Sequence, residues 1–354
     1  MGFNFYGTDG HGGNMLRRQL AGLSLAAILN VVALIPTSDA QTISNNYGRT
    51  IPANCPSECL NGVVDEFLAA MIARSPGQAQ LSENARYTEM GQEVPVGSGL
   101  WTTITALGNY KHYMSDLETG QAAYIGTVKE DTNLMVLALR LGVRLGKITE
   151  AEIVYYRRGG GPSFNDAGIE KLEQSRMPDA AWLEVIPADE RLTRPEMIDI
   201  ANKYFDHLQG DDGGNIFPFT DDCDRIENGA QTTNNSTVAL GGTGFNNAAL
   251  SCKEQFEIGY FAAIAADIGD RRFVFADPET GVVFTFVAFN NKGVKSVTLT
   301  DGRVVQMGGF ARPSTLLLAE AFKIQQGAIR RIWAVGNGVP YRTPTGWPGG
   351  VTGR

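Results

Sequence analysis

Apolar residues recur at helical spacing in two segments of the chain. The first segment starts near Ser57, and its apolar stripe includes Phe67. Positions three and four residues apart share one face of a helix, so the spacing predicts an amphipathic helix. Ser57 is a suitable N-cap, because its hydroxyl can accept a backbone N–H. Pro76 marks the end, since proline lacks the N–H that a helix interior needs.

The second segment has clearer boundary signals. Thr193 and Glu196 have the spacing of a capping box, with Pro195 in the first turn. Phe205 belongs to the apolar stripe, and Gly210 is a typical terminator. The chain therefore contains two predicted amphipathic helices.

Runs rich in β-branched and aromatic residues follow each helix, with turn residues between them. This pattern is typical of β-strands. The expected strands are residues 121–129, 133–144 and 147–157 after the first helix, and 282–290, 294–308, 314–325 and 327–336 after the second. A helix followed by consecutive strands predicts an α+β fold class.

The two blocks match in their order of features. Residues 86–92 (RYTEMGQ) resemble residues 225–231 (RIENGAQ), and the offset between their glutamates is 227 − 89 = 138. The pentapeptide at 116–120 (DLETG) resembles that at 277–281 (DPETG), with an offset of 277 − 116 = 161. Chance similarity is the alternative, but offsets that change only at plausible loops favour an internal duplication.

The N-terminus has the pattern of an export signal. An arginine pair at 17–18 precedes an apolar run over 20–35, and Ser38-Asp39-Ala40 fits a cleavage site. We therefore expect residues 1–40 to be a signal peptide, with Met15 as its natural start, and the protein to be secreted or in the secretory-pathway lumen. An uncleaved anchor helix is the alternative, although the run is short for a membrane span.

These features predict the domain organisation. Residues 41–157 form the first unit, 158–192 a linker, and 193–354 the second unit. Trp182 is expected to anchor the linker on a domain surface.

Four cysteines follow the predicted signal. An even number in an exported chain indicates two disulfides, for which three pairings are possible. Cys55–Cys59 and Cys223–Cys252 are favoured, because each pair then lies within one copy. A metal site is the alternative, but no histidine has ligand spacing to a cysteine, so no metal is expected.

Composition narrows the class of partner. Apolar residues make up 43% of the chain and charged residues 19%, which is ordinary for a globular protein. The net charge of -8 provides no basic surface for phosphates, which argues against nucleic acid. The arginine pairs at 271–272 and 330–331 are expected on the solvated face. Asn234 and Asn235 are overlapping glycosylation sequons in a predicted surface loop, 228–249.

Three stretches resemble a known superfamily. They are residues 63–92, 223–235 and 327–347, which begin VVDEFL, CDRIEN and GAIRRI. The order of elements and these stretches are similar to nuclear transport factor 2-like (SnoaL-like) proteins, and to a family of exported fungal and bacterial proteins. The resemblance implies two tandem cone-shaped units, each with helices packed on a curved antiparallel sheet around an apolar pocket. Members of the superfamily differ in activity, so the fold alone does not decide function.

Candidate catalytic residues lie in the repeated motif. Tyr87 and Glu89 are two apart, so on a strand they share one face. A carboxyl in an apolar pocket has a raised pKa and suits general acid–base chemistry. Arg225 and Glu227 are the corresponding pair in copy two, where a structural ion pair is the alternative. If only one copy has a working pocket, we expect it to be copy one.

Other candidates lie near these motifs. His112 is an unusual titratable group in a histidine-poor chain and a candidate base, with a packing role as the alternative. Candidate substrate contacts are the aromatic or amide residues Trp101, Tyr110, Asn228 and Tyr260.

These residues favour a lyase or isomerase that needs no cofactor. Dehydration, cyclisation and double-bond migration require only a positioned acid–base pair in a dry pocket. The expected ligand is a small apolar molecule such as a polyketide, terpenoid or phenolic compound. The alternatives are a non-catalytic secreted protein that binds an apolar ligand or a protein partner, and a glycosidase with paired carboxylates. The duplication would act as an internal pseudo-dimer, and further homo-oligomerisation stays open.

Overall fold

The computed structural model describes residues 51–52, 55–159, 166–209, 218–238, 244–261 and 264–348. The predicted signal peptide and Met15 lie outside these ranges. None of the helices in this part of the chain is both long and apolar enough to cross a membrane.

The first half starts with a long helix and continues as a sheet. Its elements are α1 (Ser57–Ile72), a 3-10 turn (Pro76–Gln78), β1 (Leu81–Glu89), β2 (Gln92–Glu93), α2 (Leu100–Thr103), β3 (Ala106–Asp116), β4 (Gln121–Glu130), β5 (Asn133–Arg144) and β6 (Lys147–Arg157). The predicted Ser57 N-cap was wrong. Pro56 occupies that position, and no side chain caps the helix.

Two short helices connect the halves. They are α3 (Ala167–Ser175) and α4 (Ala180–Leu183). Glu173 on α3 accepts hydrogen bonds from the hydroxyl of Thr127 at 2.6 Å and from the backbone N–H of Asn109 at 2.8 Å. Trp182 on α4 is buried. The carbonyl of Glu184 accepts a hydrogen bond from Lys323, and Asp179 is paired with Arg331. The connection is therefore packed against both halves.

The second half repeats this order with insertions. Its elements are α5 (Arg194–Gln209), β7 (Phe219–Glu227), β8 (Ala230–Gln231), a 3-10 turn (Asn247–Ala249), α6 (Cys252–Glu257), β9 (Asp267–Asp277), β10 (Val282–Asn291), β11 (Ser296–Thr298), β12 (Val304–Gln306), a 3-10 turn (Gly308–Phe310), β13 (Ser314–Gln325) and β14 (Ala328–Val339). The predicted capping box is present, with the Glu196 carboxylate accepting the Thr193 N–H at 2.8 Å.

The two sheets have the same topology. The strand order is β2-β1-β6-β5-β4-β3 in the first and β8-β7-β14-β13-β10-β9 in the second. Neighbouring strands are antiparallel except for β1 with β6 and β7 with β14. The single strand predicted over 294–308 was wrong. That segment forms a separate two-stranded hairpin, β11 with β12.

Each sheet buries one face under its own long helix. In the first half the cluster includes Phe67 of α1 with Tyr124 and Leu139 of the sheet. In the second half Phe205 of α5 packs with Val283 and Phe322. Both helices present the apolar stripe that the sequence predicted.

The opposite faces of the two sheets pack against each other. We call this contact the seam; it consists of alternate strand residues, chiefly Tyr110, Ile125, Val136, Tyr156, Phe284, Phe286, Ala319 and Trp333. Because side chains alternate between the faces of a strand, every residue of β10 is buried, either under α5 or in the seam. The two halves therefore share one continuous interior.

A buried ion cluster crosses one end of the seam. Glu152 lies 3.4 Å from the Arg140 side chain and is also paired with Arg272 from the other half. Glu152 and Arg140 are both only 2% exposed. The expectation that residues 271–272 lie on a solvated face was wrong, because Arg271 is buried and Arg272 is nearly so.

The C-terminal segment, residues 340–348, returns across both halves. We call it the strap. The Thr345 backbone N–H donates to Asp270 of the second half at 3.1 Å. In the first half, Arg86 donates to the carbonyl of Gly346 at 2.5 Å.

Trp347 anchors the strap among three arginines. Its ring centroid lies 4.4 Å from the Arg86 guanidinium carbon, 4.9 Å from that of Arg140 and 5.5 Å from that of Arg272. The indole N–H donates to the Thr88 hydroxyl at 2.8 Å. Guanidinium groups are attracted to an aromatic face, so this side chain stabilises the seam at its charged end.

The disulfides join Cys55 to Cys59 and Cys223 to Cys252, the pairing that the duplication favoured. The first links the start of α1 to the segment before it. The second joins β7 to the first residue of α6.

Trp347→Ala is expected to lower the free energy of unfolding by about 2–4 kcal/mol, because ring burial and the cation–π contacts are lost. Chemical denaturation of the oxidised protein measures the change. Trp347→Phe keeps the ring face and loses the N–H donor, so we expect a loss of about 1 kcal/mol. An alanine variant as stable as wild type would contradict the anchoring role of Trp347.

Candidate functional site

One row of side chains differs between the two sheets. In the second sheet it runs Thr285, Glu320, Ala334, Glu227 across four adjacent strands. Directly paired residues point to the same face, and this row lies under α5. The Cα atoms of Glu227 and Glu320 are two strands apart, or about 10 Å.

The equivalent row of the first sheet is bulkier. It runs Tyr124, Leu139, Ile153, Glu89. Three of its four residues are therefore large and apolar, where the second sheet has threonine, glutamate and alanine.

This difference leaves a cavity of ≈ 70 Å³ in the second half. Its walls are mostly apolar and come from α5, the sheet and the segments around 261 and 310. The apolar lining includes Phe261, Ile264, Phe289, Phe310 and Leu318, and the polar lining is Tyr204, Arg225, Glu227, Tyr260 and Glu320. An apolar lining with a few convergent polar groups is typical of small-molecule sites, although this cavity is smaller than the roughly 300–1,000 Å³ that such sites usually occupy.

In the first half, Trp101 fills the comparable space. Its ring is fully buried, 5.3 Å from the ring of Phe67 and 6.4 Å from that of Tyr87. Trp101 is a core residue, so its prediction as a substrate contact was wrong. The expectation that copy one holds the working pocket is also not supported, because the cavity lies in copy two.

Glu320 is the most perturbed carboxyl of the cavity. It is 2% exposed, and its Oε2 has no hydrogen-bond partner among the described residues. Burial, followed by the negative charge of Glu227, raises the pKa of Glu320 to about 8. The side chain is therefore a protonated acid at neutral pH.

Glu227 has a different environment. Its carboxylate lies 3.3 Å from the Arg225 side chain, and its side chain is 20% exposed. The two carboxyls of the cavity therefore have different surroundings, since Glu227 is paired with an arginine and Glu320 Oε2 has no hydrogen-bond partner among the described residues.

Arg225 is fixed by a buried network. Its guanidinium donates to the Gln255 side-chain oxygen and, at 3.2 Å, to the Thr232 hydroxyl. The Gln255 amide in turn donates to the carbonyls of Thr232 and Asn247, each at 2.6 Å. The Phe261 ring lies 4.8 Å from the guanidinium carbon. These contacts hold the Arg225 guanidinium beside the Glu227 carboxylate.

The second disulfide supports this network from both sides. Cys223 is two residues before Arg225 on β7, and Cys252 is three residues before Gln255 on α6. The bridge therefore holds together the two elements that carry the hydrogen-bonded pair.

Two tyrosines complete the polar lining. Tyr260 is 3% exposed, and burial raises its pKa to about 12. Burial also raises the pKa of Tyr204. Both phenols stay protonated over the working pH range of most enzymes.

The Tyr87–Glu89 pair of copy one is brought together, but for a structural purpose. The Tyr87 hydroxyl donates to Glu89 at 2.5 Å, and the Leu100 N–H at the start of α2 donates to the same oxygen at 2.7 Å. A Cβ on Gly99 would lie only 2.4 Å from this carboxylate. Burial raises the pKa of Glu89, and both hydrogen bonds to its carboxyl come from the protein. Its arrangement is that of a helix cap.

His112 and Tyr110 lie in the seam and not in either cone. The His112 ring is 5.0 Å from Trp182 and 5.8 Å from Trp333, and Tyr110 is 5.0 Å from Trp333. Burial, followed by the charge of Lys323, lowers the pKa of His112 to about 3. A buried histidine held neutral favours the packing alternative over the predicted role as a catalytic base.

The Asn228 side chain is hydrogen-bonded to the backbone of β14. Asn228 has a φ of 49°, and its side-chain amide donates to the Gly336 carbonyl and accepts the Gly336 N–H, both at 2.9 Å. Its prediction as a substrate contact was therefore wrong. Asn234 is exposed and Asn235 partly so, and their glycosylation stays a prediction.

Sequence reasoning missed Glu320 and Gln255. Glu320 did carry a signal, because it is the only charged residue in the stretch STLLLAEAF, residues 314–322. Alternation puts it on the face of Leu318 and Phe322, where a carboxyl is unusual. Gln255 carried none, since its role depends on the fold of α6 against β7.

The strand order and the position of the long helix match the resemblance found in the sequence. The chain contains two tandem α+β units of one topology. Residues 190–336 match the model of a family described as "Domain of unknown function (DUF8021)". This stretch covers most of the second unit. No curated protein matches the chain.

Solved structures with some similarity come from two bacteria. A protein from Sphaerobacter thermophilus is 12% identical, with a TM-score of 0.24, over 27% of this chain and 94% of its own. AclR, a putative hydroxylase from Streptomyces galilaeus, is 16% identical, with a TM-score of 0.26, over 34% of this chain and 99% of its own. In the described ranges, no three histidine, cysteine or acidic residues are grouped as metal ligands.

Glu320→Gln is expected to change how stability depends on pH. The folded pKa of about 8 is above the ordinary value of 4.5, so the folded protein binds the proton more tightly than the unfolded chain does. The contribution of Glu320 to wild-type stability is therefore fully present below pH 4.5 and is lost as pH rises through about 8. The variant does not show this loss. Its free energy of unfolding relative to that of wild type should therefore increase with pH by a few kcal/mol, because each tenfold difference in proton affinity corresponds to about 1.4 kcal/mol.

Denaturant titrations of both proteins from acid to mildly alkaline pH test this point. Parallel stability curves for wild type and variant would show that Glu320 does not titrate in this range.

Proposed function

We propose that the second unit is a cofactor-independent lyase or isomerase that acts on a small, largely apolar, uncharged molecule. The observation that carries this proposal is the protonated carboxyl of Glu320 in the same apolar cavity as the ion-paired carboxylate of Glu227. Groups whose surroundings separate their protonation states are natural acid and base partners.

Each carboxyl has a role in such a reaction. Glu227 removes a proton from carbon next to a carbonyl group. Glu320 donates a hydrogen bond or a proton to the oxygen that gains negative charge, with Tyr260 as a second donor. In an isomerisation the proton returns to a different carbon. In a dehydration, Glu320 protonates the departing hydroxyl group.

The charge of the cavity restricts the substrate. Arg225 is neutralised by Glu227, and ionised Glu320 would add negative charge. An anionic substrate would meet repulsion without a free cation. A neutral ketone, polyketide, terpenoid or phenolic compound is therefore the expected class, and secondary-metabolite assembly is a suitable context. The two disulfides support export of the protein.

The test is the isomerisation of cyclohex-3-en-1-one to its conjugated isomer, followed by ultraviolet absorbance. Glu227→Gln and Glu320→Leu should each reduce kcat/KM by about 100-fold or more, because acid–base groups contribute on this scale. The leucine variant reproduces the residue of the first unit at this position. The wild-type rate should fall as pH rises through about 8, since Glu320 then loses its proton.

Glu89→Gln is the matched control. Glutamine keeps an oxygen that can accept the Leu100 N–H, so the rate should stay within about threefold of wild type. Equal rates in wild type and all variants would refute the assignment. Saturable binding of the ketone without turnover would instead favour the non-catalytic alternative.

A further inference from the structure

A second, larger opening lies between the two units, remote from the cavity of Glu320. We call it the seam groove; its volume is ≈ 540 Å³. The turns at 116–120 and 277–281, the repeated pentapeptides, form part of its walls, with His112, Trp182 and Asn61. This volume is within the range of roughly 300–1,000 Å³ that small-molecule sites occupy.

Buried polar atoms without partners lie beneath the groove. They are Tyr110 Oη, His112 Nδ1 and Trp333 Nε1, each unpaired within the ranges that the structure describes. All three residues are at most 2% exposed. The contacts of Trp333 with Tyr110 and His112 place the three side chains together.

Such a group is costly without a partner. A buried donor or acceptor that loses water and gains no hydrogen bond destabilises a protein by about 1–3 kcal/mol. Three in one cluster require an explanation such as a bound polar group. Of the three residues only His112 also lines the groove, so its side chain is the part of the cluster that a ligand can contact.

The charged side chains in and beneath the groove already have hydrogen-bond partners in the protein. Arg194 donates to Asp116 at 2.8 Å and to Glu118 at 3.0 Å. Lys323 beneath the groove donates to two backbone carbonyls at 2.5 and 2.6 Å. Asp277 accepts the Thr280 hydroxyl at 2.6 Å. These pairs leave no strong demand for a charged ligand.

The remaining polar groups suit hydroxyls. Besides the charged pairs, the walls carry the neutral polar side chains of Ser57, Asn61, Ser115 and His112. The hydroxyls of Thr280 and Tyr113 already donate to Asp277 and Asp65. His112 is itself held neutral, so one ring nitrogen donates and the other accepts. A hydroxyl group can satisfy either role, because it is both donor and acceptor.

We infer that the seam groove binds a neutral, hydroxyl-rich ligand, a sugar of one or two rings, with one hydroxyl bonded to His112. The ring carbons contact the aromatic residues Tyr113 and Trp182, and the other hydroxyls bond to the neutral wall residues. The ligand differs from that of the Glu320 cavity, which is smaller and apolar. Sugar binding in the groove is independent of the proposed catalytic function.

The test is titration of the full protein with cellobiose, maltose and N,N′-diacetylchitobiose. Binding is followed by saturation-transfer NMR and by tryptophan fluorescence. At least one sugar should bind saturably, and His112→Phe should weaken it at least tenfold, because phenylalanine keeps the ring and removes both nitrogens. Glu320→Leu should leave the affinity unchanged, since it alters the other cavity.

Asn61→Leu provides a second variant if His112→Phe does not fold. Asn61 is partly exposed on α1, so its replacement should weaken the sugar at least threefold without loss of structure. Absence of saturable binding by all three sugars would overturn the inference, with water as the partner of the buried cluster. Equal affinity in wild type and in the folded groove variants would also overturn it.

Discussion

The structure depends on the requirement that both faces of each sheet be covered. A single helix covers one face of each sheet, and each sheet covers the other face of its partner. Strands such as β10, buried along their whole length, would expose a large apolar surface in an isolated unit. The two copies are therefore not independent domains joined by a linker. They complete one another, as an internal pseudo-dimer.

Once the copies were joined in this way, they could diverge on their helix-covered faces. The same row that holds Leu139 and Ile153 in one unit holds Glu320 and Ala334 in the other. The bulkier row, with Trp101, gives a filled core that stabilises the pair. The smaller row leaves space for chemistry. One copy thus contributes mainly packing and the other accommodates a buried acid, which on its own destabilises the fold at neutral pH.

The additions to the second unit surround that buried acid. The hairpin β11–β12 and its apolar cluster adjoin the cavity through Ile264 and Phe310. The Cys223–Cys252 bridge and Gln255 fix the arginine that neutralises Glu227. Buried charges need such close hydrogen-bonded support, because an unsatisfied ion in an apolar site is very costly. The segments added in the second unit thus line the cavity and hold its charged residues in place.

The sequence by itself determined the periodic features. Helix stripes, strands β4, β5 and β6 of the first unit and the repeated motif follow from local spacing, because alternation and capping are properties of short segments. The duplication in turn favoured the cysteine pairing that the structure has. The tertiary structure alone decided the roles of the chemical residues. Glu89 became a helix cap and Glu320 a protonated acid, although both are glutamates on strands. The two carboxyls differ because different side chains, from distant segments, surround them. The local spacing of residues in the sequence does not show how much space those side chains leave.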